Sequence, residues 1–220
     1  MSSADRPLIG ITPDVEPLEG GRWRARVGGA YLEAVTAAGG LPVVLHPDAA
    51  LAPEYVERMD GLLLSGGNDI DTSRWGVALH TRAVTMHAQR QVFEVALLRA
   101  IDRVGQGDTP TLGVCLGMQM MGVHRSGIGS LVQHLPDEVP GAGRHASVPG
   151  LGDAAHGIMA TAEWERSRLA GVAHGGTVAS SHHQGIRREP AERTGGLRTL
   201  AVSEDGVLEA FDDPARAFYV

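Results

Sequence analysis

Apolar and polar positions along this chain fall into short blocks that switch between two periods. Pro7-Leu-Ile-Gly-Ile-Thr12 is an apolar run closed by Pro13, which predicts a first strand. Asp14 to Arg26 is polar and reads as a loop. Gly28 to Ala38 then has helical spacing, with Tyr31, Val35 and Ala38 on one face and Gly39-Gly40 as the stop. Leu41-Pro-Val-Val-Leu45 predicts a second strand, and Pro53 to Met59 a short helix with proline in its first turn. Gly61-Leu-Leu-Leu-Ser-Gly-Gly67 is a third run, apolar on both faces. Gln89 to Val104 predicts a long helix, stopped by Gly105-Gln-Gly107. Phe93, Leu97, Ala100 and Val104 form its buried stripe; Glu94, Arg99, Asp102 and Arg103 lie off it. Leu112 to Cys115 is a fourth strand, and Met118 to Val123 lies on the helix after it.

Four strand–helix repeats with doubly apolar strands predict an α/β fold: a flavodoxin-like, doubly wound, mainly parallel sheet with helices on both faces, over a single domain of residues 1–220. Ligands of such sheets sit beyond the carboxyl ends of the strands, where Gly66-Gly67 and Cys115 both fall. The second half is less regular. Residues 137–177 predict surface loops with some added strands, Val178 to Gln184 a small strand followed by two histidines, and Leu197 to Ala210 a hairpin turning on Asp205-Gly206. Ala217-Phe-Tyr-Val220 begins a further strand.

Composition narrows the function. At 220 residues with 43% hydrophobic and 20% charged positions, the chain is an ordinary globular protein. A net charge of −7 argues against a nucleic-acid surface. No run reaches membrane-spanning length, and Met1 to Asp5 has no signal-peptide core, so a cytoplasmic protein is expected. The single cysteine excludes a disulfide framework and a multi-cysteine metal site. Asp69, His134, His145 and His156 have no ligand spacing along the chain, so neither a metal nor another cofactor is expected.

That cysteine is placed for chemistry. In Thr111-Leu-Gly-Val-Cys-Leu-Gly-Met-Gln119 it is flanked at i−2 and i+2 by Gly113 and Gly117. This is the pattern of a sharp strand-to-helix turn that exposes a nucleophile. The unpaired N–H groups at the start of the following helix favour thiolate over thiol.

The motifs together resemble the class I glutamine amidotransferase superfamily, and within it the γ-glutamyl hydrolases of the γ-glutamyl-γ-aminobutyrate hydrolase type (peptidase C26). The resemblance is carried by Ile9-Gly-Ile-Thr12, Tyr31 to Pro42, Asp60 to Ile70, Phe93-Glu94, Gly113 to Gln119, Gln133 to Asp137, Ser181-His-His-Gln184 and Asp205 to Ala210. It implies that Cys115 attacks the side-chain carbonyl of a glutamine or γ-glutamyl group. Backbone N–H groups of Leu116 and of the Gly66-Gly67 loop would hold the oxyanion, and Gln119 and His183 would contact the substrate. The family completes its triad with a His-Pro-Glu segment after a strand like Arg216 to Val220. No residue follows Val220 in this sequence, so further residues, or a degenerate enzyme, are expected.

Three functions follow. The first is a cysteine-dependent hydrolase of γ-glutamyl amides acting on a small molecule. The second, suggested by Leu116 where many γ-glutamyl hydrolases carry arginine, is a glutaminase feeding ammonia to a synthetase partner. The third is a non-catalytic binding protein. A homodimer stays open under each.

Overall fold

In the computed structural model, residues 6–104, 108–142, 145, 154–172 and 174–220 are described; the helix stop at Gly105 to Gly107 and most of residues 143–153 lie outside them. The chain divides into two compact units. One holds residues up to Asp71, Val84–Met120 and Arg216–Tyr219. The other holds Thr72–Ala83, Met121–Ala215 and Val220.

The first unit is an α/β fold around a parallel sheet flanked by helices. Its elements are β1 (Leu8–Ile11), β2 (Asp14–Pro17), β3 (Trp23–Arg26), α1 (Gly29–Ala37), β4 (Leu41–Val44), α2 (Ala52–Arg58), β5 (Gly61–Leu64), α3 (Ala88–Arg103), β6 (Thr111–Gly113) and α4 (Leu116–Ser126), whose last residues run into the second unit. The sheet order is β4-β1-β5-β6, with Gly10 opposite both Val43 and Leu62, and Leu63 opposite Leu112. The chain thus leaves β1 toward one side, then returns to build β5 and β6 on the other, which is the flavodoxin order. Tyr219 makes a parallel bridge to Thr111, and the Thr111 N–H donates to Phe218 O at 2.9 Å, so the expected last strand takes its place beside β6.

Burial explains the run of leucines in β5. Leu62, Leu63 and Leu64 are each at most 6% exposed, and a fully buried leucine contributes about 1.5–3 kcal/mol. β4 is an edge strand, with Leu41 and Val44 nearly half exposed. Ile11, Val35 and Leu63 form a core cluster to which Tyr31 and Leu112 add.

Two expectations change here. Asp14 to Arg26 is not a loop: β2 and β3 pair antiparallel from Asp14 opposite Arg26 to Pro17 opposite Trp23. Arg24 and Arg26 face Glu16 across that ribbon, and these charges hid the strands from a hydrophobic-pattern reading. On α3 Phe93, Leu97 and Ala100 are buried as the stripe predicts, but Glu94 is fully buried beside them, and Val104, just past the helix end, is 37% exposed.

The second unit contains β7 (Leu131–Val132), α5 (Leu135–Glu138), β8 (Ala154–Ala160), β9 (Gly176–Ser180), β10 (Gly185–Ile186), α6 (Arg188–Arg193), β11 (Arg198–Ser203) and β12 (Leu208–Asp212). An antiparallel sheet runs β12-β11-β8-β9, and β10 pairs with β7. Trp164, Leu200 and Ala201 form one core cluster, and Val132, Leu135 and Val207 another. The β11–β12 hairpin turns on three residues rather than two. Ser203 N–H donates to Val207 O at 2.9 Å and Gly206 N–H to Ser203 O at 3.0 Å, while Gly206 has φ +83°. That is a type I turn closed by a left-handed glycine. Among the described residues, no helix is long and apolar enough to cross a membrane.

Candidate active site

β6 ends at Gly113, and α4 starts at Leu116. Between them Cys115 takes φ +53°, the only positive φ outside glycine among the described residues. A non-glycine residue in this region costs about 1–3 kcal/mol and persists only where its surroundings enforce it. Here Val114 N–H donates to Leu64 O at 2.9 Å, Gly117 N–H to Val114 O at 3.0 Å and Gln119 N–H to Cys115 O at 3.0 Å. These bonds hold the turn from both sides. The thiol is exposed.

Glycine at 117 is a matter of approach. A Cβ there would stand 2.1 Å from Leu64 O, so α4 can start this close to the end of β5 only without a side chain. The same proximity brings the loop after β5 to the cysteine: a Cβ on Gly66 would lie 3.6 Å from that of Cys115. A Cβ on Gly67 would meet Leu116 Cδ2 at 3.1 Å and an Arg90 nitrogen at 2.4 Å. Cys115, Gly66, Gly67 and Leu116 are therefore gathered at the carboxyl ends of β5 and β6.

The loop is fastened from beneath by residues that the hydrophobic pattern did not single out. Arg90, fully buried on α3, donates through Nη2 to Ser65 O at 2.8 Å and through Nη1 to Gly66 O at 3.1 Å. Its Nε donates to Glu94 Oε1 at 2.9 Å, and that oxygen also accepts from Thr12 Oγ1 at 2.8 Å. Asp14 Oδ1 lies 3.4 Å from Arg90 Nη1. From the other side, Gly66 N–H donates to the Tyr31 hydroxyl at 2.9 Å. With Ser65 N–H donating to Thr12 Oγ1 at 3.1 Å, both N–H groups and both carbonyls of Ser65 and Gly66 are committed to fixed partners. The one sequence signal for this network was the Arg90/Glu94 spacing of four on a helix that is otherwise apolar on that side.

Gln119 is buried at 5% exposure on the first turns of α4. His183 belongs to the second unit, half-buried, with its ring 5.7 Å from that of His134 and its carbonyl accepting from Leu135 N–H at 2.7 Å. In that unit a second group of polar residues comes together that linear spacing did not reveal: His145, His156, His182 and Glu209. Burial, with the neighbouring imidazoles, holds His182 down to about 4, against its hydrogen bond to Gln184 O. Burial, with the charge of Asp205, lifts Glu209 to about 8.

The sequence profile of the peptidase C26 family matches residues 7–220. The chain belongs to that family. A Mycobacterium tuberculosis protein named "Putative glutamine amidotransferase" is 32% identical over 224 residues, covering 98% of this chain and 68% of its own length. The Enterococcus hirae protein NtpR is 30% identical over 197 residues, covering 86% of this chain and 77% of its own length. Among solved structures, a Thermoplasma acidophilum protein described as a "putative gmp synthase subunit a protein" superposes with a TM-score of 0.60 at 16% identity, over 97% of this chain and 82% of that one. At that identity the likeness speaks for the fold of this peptidase C26 member.

Proposed function

We propose that this chain is a cysteine hydrolase of γ-glutamyl amide bonds, acting on glutamine or a γ-glutamyl amine. Membership of the peptidase C26 family and a relative named as a glutamine amidotransferase support a glutamine-amide hydrolase or amidotransferase-type role. The observation that carries the finer reading is Cys115 itself, an exposed thiol held at φ +53° beside Gly66.

In the proposed reaction, Sγ of Cys115 attacks the γ-carbonyl carbon, forming a C–S bond. The carbonyl oxygen takes the negative charge, and N–H groups of Leu116 and Gly67 face it. Such fixed donors are worth roughly 3–4 kcal/mol each in the transition state. Gly67 is preferred to Gly66 because the Gly66 N–H already binds Tyr31. The C–N bond then breaks, and the amine leaves with the proton that the thiol gave up. Water cleaves the thioester, releasing the glutamate moiety and restoring the thiol. The N-terminus of α4, an eleven-residue helix, favours the thiolate. Gln119 is proposed to contact the glutamyl group.

The test is glutamate release from a panel of γ-glutamyl amines and from glutamine. Turnover by the wild type and none by Cys115→Ala supports the reading; equal release by both sinks it. A second reading, ammonia transfer to a synthetase partner, is favoured by Leu116. It requires glutamine turnover that rises when a co-purifying partner is present.

A further inference from the structure

The geometry points to a divalent transition-metal site of the zinc class in the second unit, formed by His145, His156, His182 and Glu209. Their ligand atoms all lie within 4.8 Å of one another. His145 Nδ1 is 3.3 Å from His182 Nε2 and 3.5 Å from Glu209 Oε1. His156 Nε2 is 3.5 Å from Glu209 Oε1, and His182 Nε2 is 3.8 Å from Glu209 Oε2. A tetrahedral ion with bonds of about 2.0–2.1 Å has ligand–ligand edges of roughly 3.3–3.4 Å. The His145–His182 separation and the two to Glu209 Oε1, at 3.3–3.5 Å, lie close to that value, and the one to Glu209 Oε2, at 3.8 Å, is longer. All four exceed the roughly 2.7–3.2 Å of ordinary hydrogen bonds between such groups.

The outer atoms decide which atoms face inward. His145 Nε2 lies 2.9 Å from Asp205 Oδ2, and His182 Nδ1 lies 2.9 Å from Gln184 O. A carbonyl oxygen only accepts, so His182 carries its proton on Nδ1 and turns the Nε2 lone pair inward. His145, with its proton toward the carboxylate, turns Nδ1 inward in the same way. His156 Nδ1 lies 3.3 Å from Gly157 O, a longer contact that does not by itself fix the tautomer. Two lone pairs then face each other at 3.3 Å, beside a carboxylate whose buried Oε1 has no hydrogen-bond partner. A cation at the centre would satisfy these lone pairs and the carboxylate together. Imidazoles oriented by a carboxylate or carbonyl on the far nitrogen are the usual outer shell of a zinc site.

Three imidazoles and a carboxylate fill four positions, which suits a closed, structural site rather than a catalytic one. The ligands come from β8 (His156), β12 (Glu209), the segment after β9 (His182) and the stretch before β8 (His145). The ion would therefore tie the Ser181 to Gln184 segment to the sheet. A neighbouring group, His80, His134 and Asp137, is a poorer candidate. It offers three ligands, its aspartate is 47% exposed, and His134 Nδ1 already sits 2.8 Å from Asp137.

The test is calorimetric titration of Zn2+ into the full chain after chelation and dialysis, with Co2+ as a spectroscopic probe. The expected result is one Zn2+ per chain. Binding should weaken at least tenfold in the near-isosteric Glu209→Gln and in His156→Asn, stay unchanged in His80→Asn, and fall roughly 10–100-fold in Asp205→Asn. Co2+ bound to the wild type should give the intense visible bands of four-coordination, which reads the site even if a variant fails to fold. The inference is overturned if the wild type takes up no stoichiometric Zn2+, if Glu209→Gln binds as tightly as the wild type, if His80→Asn removes the binding, or if Co2+ is six-coordinate.

Discussion

Arg90 and Glu94 form an ion pair one helical turn apart on α3, at 2.9 Å, with neither side chain exposed to solvent. The pair is a support for the loop after β5, because the same guanidinium donates to the carbonyls of Ser65 and Gly66. Removing one partner strands the other charge in the interior, at a cost of about 3–5 kcal/mol. Glu94→Ala is therefore expected to lower stability by that amount in urea denaturation. Arg90→Lys keeps the charge but loses the fork. It should retain more of the stability while reducing turnover, with kcat falling more than KM rises.

Gly117 and Leu64 O make a contact that no side chain tolerates. Gly117→Ala must move the start of α4 away from β5, and overpacking of this kind costs about 1–3 kcal/mol. Thermal unfolding should register the loss, and alkylation of Cys115 by iodoacetamide should slow as the turn relaxes. Gly129, where an added Cβ would meet nothing within 4 Å, supplies the control: Gly129→Ala should leave both readings unchanged.

Cys115 holds a backbone conformation that glycine adopts freely. Cys115→Gly is expected to stabilise the protein by about 1 kcal/mol while abolishing glutamate release. A midpoint in urea no higher than that of Cys115→Ala would mean that the turn stores no strain.

Tyr31 accepts the Gly66 N–H through its hydroxyl. Tyr31→Phe leaves that donor without its partner and should cost about 1 kcal/mol. If the contact positions the loop for catalysis, kcat should fall while the apparent affinity for substrate holds. Unchanged kcat would confine the tyrosine to packing.

The parallel sheet was legible because its strands are apolar on both faces and its helices have a regular stripe. Cys115 was legible because a strained turn demands small neighbours, and Gly117 is one for a measurable reason. What pattern-reading lost were residues whose polarity argues against burial. Arg90 and Glu94 pair with each other inside the first unit, while Arg24 and Glu16 pair across a β2–β3 ribbon whose second strand is exposed, so no apolar alternation marks it. The histidine group was lost for a different reason. Its members stand at positions 145, 156, 182 and 209, and only the antiparallel sheet, with its register shifts between Thr199 and Val202, folds those separations onto one point.

The bridge between Thr111 and Tyr219 bears on how the protein is made. Every residue between these two must leave the ribosome before β6 can acquire this neighbour. Vectorial synthesis therefore presents β1, β4, β5 and β6 with one flank uncovered for several seconds at ordinary translation speeds. Chaperone dependence in vivo, and a lower yield from slowly translated messages, would be the cellular signature of that late-arriving strand.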